Sequence, residues 1–145
     1  MNYNKIMNLD AFKIYYAETM MNYQCIENDI KYIYAYMLAG AVNKNFEDIE
    51  NKTLGTMITL LEKLDYSDNK PFISRDDYKF LKNICDRRNY WAHQAFVDFV
   101  YIKNWEYSKE YQDICRSLEK DCDEVERASG ILEKMRIEYC EWHKR

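Results

Sequence analysis

The chain has 145 residues, 48% of them hydrophobic and 16% aromatic, and a formal charge of −4. This length suits one domain with a substantial core, and the composition excludes a disordered chain. The acidic balance excludes a protein that coats nucleic acid through bulk positive charge, but leaves room for a small local basic site.

Three glycines and one proline are very few for a chain of this length. Turns use these residues, so their scarcity predicts few turns and long helices. The first helix is expected from Asp10 to Ala41. Phe12, Tyr16, Met20, Tyr23, Ile26, Ile30, Ile33, Met37 and Ala41 recur at steps of three and four along it. Asp10 is the expected cap, and Gly40 lies near the end. Such a helix is roughly 48 Å long at about 1.5 Å per residue, and needs a partner of similar length.

The stretch Asn43 to Thr53 is polar and reads as a loop. Thr53 can cap a short helix that ends near Leu64. Asp65 to Phe72, "DYSDNKPF", breaks the pattern with Asp, Asn and Pro71. Ser74 with Asp77 three residues on is a weaker variant of the capping box, and opens a helix from about Arg75 toward Val100 or beyond. The last helix is expected from near Ser108 to about Trp142. Ile114, Leu118, Val125, Leu132, Met135, Tyr139 and Trp142 form its stripe. No strand alternation, repeat or linker interrupts the series. The expectation is one all-α domain over residues 1–145, a bundle of four main helices, two of them long.

The five cysteines form no CxxC motif, and Cys140 with His143 is an isolated pair with too few ligands for a metal site. No cofactor is implied. Dispersed thiols in odd number suggest a reducing, cytoplasmic setting. The amino terminus, "MNYNKIMNLD", has no apolar leader core, and no run approaches membrane-spanning length.

The segment "DRRNYWAHQ", Asp86 to Gln94, holds the one concentration of chemistry. The apolar face of its helix passes through Tyr78, Leu81, Ile84, Cys85, Ala92, Ala95 and Phe99, and Arg88 falls on that face. A guanidinium stays charged, so it needs a carboxylate, a phosphate or a wet cleft. Glu18 or Glu27 of the first helix would satisfy it structurally. His93, five residues on, is about 140° round the helix, whereas Asn89 and His93 share a face. Arg75, Lys79 and Lys82 follow helical steps toward Asn89 and His93, with Arg87 nearby. That row reads equally as an RNA track or as the solvated face of an amphipathic helix. Tyr90 and Trp91 offer rings for stacking on unpaired bases or for packing, and packing is the expectation for Trp91.

"RNYWAH" resembles the Rx4-6H signature of HEPN domains. Arg88 stands for the arginine, Asn89 for the polar residue that often follows it, and His93 for the histidine. The order of helices is similar over most of the chain, which implies a HEPN-like up-and-down helical bundle. Many HEPN proteins are metal-independent endoribonucleases that dimerise so that two motifs line one cleft. The resemblance therefore implies His93 as acid or base, Arg88 as phosphate clamp and Asn89 as an orienting group. Arg75, Lys79, Lys82, Arg87 and Tyr90 would contact RNA. It further implies a homodimer through the motif-bearing helix, and a toxin or phage-defence effector held by an antitoxin partner. Some HEPN toxins carry a modifiable tyrosine two residues after the histidine, but Ala95 stands there in this chain. Other members of the family only bind nucleotides, nucleic acid or partner proteins.

Overall fold

The computed structural model describes residues 7–142. His143 and most of the amino-terminal stretch read for a leader lie outside them. The described chain is all-helical, with five α-helices and no strand among the described residues. They are α1 (Leu9–Met37), α2 (Val42–Ile49), α3 (Leu54–Asp65), α4 (Arg75–His93) and α5 (Lys109–Trp142). A single 3-10 turn, Trp105–Tyr107, precedes α5. No helix among the described residues is long and apolar enough to cross a membrane.

The two long helices, α1 and α5, pack chiefly against each other, and α3 and α4 complete the layer around them. Phe12, Tyr23, Ile26, Ile30 and Ile33 bury the predicted stripe of α1, and Ile114, Leu118, Val125 and Leu132 that of α5. Leu54, Met57, Ile58 and Leu61 of α3, and Tyr78, Leu81, Ile84 and Trp91 of α4, join the same core.

Three regions differ from the sequence expectation: both ends of α1, the segment after it, and the end of α4. Asn8, not Asp10, caps α1, its side-chain oxygen accepting from Ala11 N at 2.7 Å. The helix also stops at Met37 rather than Ala41, and Gly40 takes the positive φ of 107° that the turn requires. The supposed loop from Asn43 contains α2. Its stripe is short, Val42, Phe46 and Ile49, but Ile49 is buried and the Phe46 ring lies 4.8 Å from that of Tyr32. The buried Asn45 amide donates to the carbonyls of Ala35 and Leu38, at 3.0 Å each, and so satisfies the open end of α1.

The third difference is the end of α4, at His93 and not near Val100. Asp98 explains it. Its carboxylate accepts from Gln94 Nε2 at 2.8 Å and from Tyr90 Oη at 3.0 Å, drawing residues 94–100 into turns that cover the helix end. Ala95 and Phe99 are buried as expected, but from these turns. The Phe96 and Phe99 rings close edge-on around Phe12 at 5.8 and 6.0 Å.

Candidate functional site

The starting end of α4 is fixed by α3. Ser74 caps the helix through Asp77 N. The buried Asp65 carboxylate accepts from Phe72 N, Ile73 N and Tyr78 Oη at 2.7, 2.9 and 2.7 Å. Burial, then the bond to Asp65, pushes the Tyr78 phenol far above its ordinary range, so it remains a hydrogen-bond donor.

The other end is fixed by α5. Asp121, 5% exposed, accepts with one oxygen from Arg87 Nε and from Trp91 Nε1, both at 2.8 Å. Arg87 and Trp91 are one turn apart, so this carboxylate grips the last two turns of α4. The Arg87 guanidinium also lies over the Tyr90 ring, 4.6 Å from its centre. From α1, Tyr16 donates its hydroxyl to the Trp91 carbonyl at 3.2 Å. Trp91 is 1% exposed, in keeping with its expected packing role. Close to this cluster, the buried Tyr23 hydroxyl has no hydrogen-bond partner among the described residues.

Arg88 is treated differently from its neighbour. Its side chain is half-buried, and among the described residues no carboxylate comes within salt-bridge distance of it. Glu27 pairs with Lys31 instead, at 3.5 Å. The contact Arg88 makes is a 3.1 Å hydrogen bond from Nη1 to the side-chain oxygen of Asn89. The Asn89 amide in turn points toward Cys85 Sγ, at 3.9 Å. Burial raises the Cys85 thiol above its usual range, with Asp86 adding to the effect and Arg88 opposing it. Cys85 therefore stays a neutral thiol at neutral pH. His93 is the last residue of α4 and is exposed, with no hydrogen bond or ion pair to a described residue.

The expected RNA-contacting residues fall into two groups. Arg75, Lys79 and Lys82 are all exposed, but Glu62 of α3 takes Arg75 at 3.2 Å and Lys82 at 2.7 Å. Arg75 also stacks 3.6 Å over the Tyr66 ring. The hydrogen bonds to Lys82, then to Arg75, hold the Glu62 carboxyl below its usual range. Arg87 and Tyr90 are tied into the Asp121 and Asp98 contacts. Burial and the Asp98 bond push the Tyr90 phenol up to about 12.

A cleft of 580 Å³ opens between α4 and α5, lined by Phe80, Asn83, Arg87, Lys120, Asp121 and Glu124 among others. Neither Arg88 nor His93 lines it. Of the motif residues, His93 and Asn89 are exposed and Arg88 is half-buried. Among the described residues no group of His, Cys, Asp and Glu is placed to hold a metal ion.

Sequence reasoning passed over Asp121, Glu62 and Asp98. Asp121 had a signal of its own. It sits on the same helical row as Ile114, Leu118 and Val125, an acid on an apolar face, and so mirrors the arginine on α4. Comparison with protein-family models, with curated proteins and with solved structures finds no match.

Proposed function

We propose that the chain is a HEPN-type endoribonuclease that cleaves RNA without a metal, with Arg88, Asn89 and His93 as its reacting set. The observation that carries this reading is the unequal fate of adjacent arginines. Arg87 is neutralised by Asp121, whereas Arg88 has no carboxylate counterpart among the described residues. A permanent cation on the packing side of a helix, left without an internal acid, suits an anion supplied from outside.

RNA brings its own nucleophile. The 2′-oxygen attacks phosphorus as a neutral imidazole takes its proton, and an imidazolium protonates the departing 5′-oxygen. The products carry a 2′,3′-cyclic phosphate and a 5′-hydroxyl. A guanidinium fork suits the charge that builds on the non-bridging oxygens. With the Asn89 side-chain oxygen accepting from Arg88, the asparagine aims the clamp.

On one helix Arg88 and His93 diverge by about 140°, so a second copy of α4 is the simplest source of the complementary group. The reading therefore includes a homodimer through the motif-bearing helix, a cytoplasmic setting, and a toxin or phage-defence role under an antitoxin. Incubating purified protein with total RNA in EDTA, beside Arg88→Ala and His93→Ala, tests it.

One observation favours a second reading, a non-catalytic module that binds nucleotide, nucleic acid or a partner protein. Glu62 pairs with Arg75 and Lys82 and Asp121 with Arg87, so two acids leave a net single positive charge on these three cations. That leaves a small cationic footprint for holding a long RNA. Binding of RNA without cyclic-phosphate ends would select this reading.

A further inference from the structure

We propose that Asp121 is a positioning residue for the Arg88–His93 site, because it decides which of two consecutive arginines is left for a phosphate. This inference rests on the nuclease reading and deepens it. Consecutive residues on a helix point about 100° apart. A rotation of α4 by that angle would exchange the surroundings of Arg87 and Arg88, and a smaller one would already misdirect the Arg88 fork. One oxygen of Asp121 removes that freedom by accepting from Arg87 Nε and Trp91 Nε1 together, at 2.8 Å each. Both donors are held in turn. Trp91 is fully buried and its carbonyl accepts from Tyr16, while the Arg87 guanidinium rests on Tyr90. The consequence is that Arg88 turns away from the buried acid, and among the described residues its hydrogen bond goes to Asn89.

Asp121 comes from α5, a different element from the motif, and the groups it binds are Arg87 and Trp91. It acts through Arg87 and the helix. Its effect on cleavage therefore passes through the directional fork of Arg88. A lysine at 88 is a compact charge on a flexible stem and is far less sensitive to helix rotation.

The test is a double-variant cycle on the full chain, with steady-state cleavage of an RNA substrate measured well below each variant's melting temperature. Asp121→Asn keeps an acceptor for the Trp91 indole and removes the charge that holds Arg87. It is expected to lower kcat by about tenfold with KM changed by less than about threefold. In the Arg88→Lys background the same substitution is expected to cost less than about threefold. Arg87→Lys, half-exposed and charge-preserving, gives the same pattern if Asp121→Asn does not fold. Equal losses in both backgrounds, or losses that track the folded fraction, would overturn the proposal. Cleavage by the native chain with both variants unimpaired overturns the positioning role alone. Absence of cleavage by the native chain overturns the nuclease reading and the positioning role with it.

Discussion

Arg87 donates its Nε–H to Asp121 at 2.8 Å, and this bond ties the motif-bearing helix to the longest helix in the fold. The acid is almost fully buried, whereas the Arg87 side chain is 37% exposed. The pair is thus asymmetric: loss of the arginine strands a buried charge, while loss of the acid lets the guanidinium return to water.

Asp121→Ala leaves the Trp91 indole buried without an acceptor and removes the clamp on α4. The expected cost is about 2–3 kcal/mol, below that of a fully buried pair because Arg87 can be hydrated. Urea unfolding followed by tryptophan fluorescence measures it. An unchanged midpoint would show that the contact is energetically idle.

Glu62→Gln releases Arg75 and Lys82 together. If these two cations belong to an RNA track, the variant binds RNA more tightly, and its affinity falls more steeply with salt, by about one to two further released counterions. Filter binding over a salt series reads both. If the affinity and slope match the native chain, the row is only a solvated helix face. On stability the sign is opposite. Pairing holds the Glu62 carboxyl below its unfolded range, so its contribution is present above that range and lost as pH falls through the depressed folded value.

Asn45→Ala removes the buried amide that satisfies the carbonyls of Ala35 and Leu38. The expected loss is about 2 kcal/mol, since both acceptors are left at a covered helix end. A denaturation midpoint shifted by no more than a surface substitution would contradict this role for α2.

At alkaline pH the tyrosines govern stability. Burial, then Asp98, raises Tyr90 to about 12, and burial raises Tyr23, Tyr78 and Tyr111 further. A raised folded value means that the folded chain holds the proton more firmly. The stabilisation is complete below the unfolded tyrosine value of about 10 and declines as pH rises through the folded values. Urea midpoints are therefore expected to be flat in this respect to about pH 9, then to fall steadily between about 10 and 12. A midpoint that rises over that interval would contradict the buried placement of these phenols.

The long helices were legible because their stripes repeat over many turns: Phe12 to Ile33 and Ile114 to Leu132 leave little choice of face. The cap at Ser74 and the start at Thr53 were legible from local chemistry. What escaped was decided by contacts distant in sequence. Asp98 ends α4 through side-chain bonds that an apolar pattern running on to Phe99 conceals. The helix α2 has only three apolar residues among polar ones, and owes its place to Asn45 and Tyr32. At the site, the question of whether an arginine is satisfied from within was visible at Arg88, with Glu18 or Glu27 as candidate partners. The structure gives the internal acid to Arg87 instead, from Asp121 on α5, a pairing 34 residues apart.

In the proposed nuclease, Arg88 and His93 meet an RNA phosphate rather than serve the fold. Neither has a carboxylate partner among the described residues, so Arg88→Ala and His93→Ala are expected to unfold within about 0.5 kcal/mol of the native chain. The decisive measurement is cleavage of total RNA in EDTA by the three proteins, with the new ends analysed chemically. The native chain is expected to give 2′,3′-cyclic phosphate and 5′-hydroxyl ends, and each folded variant at least about a hundredfold less cleavage. Equal cleavage by all three, or none by the native chain, would contradict the nuclease reading.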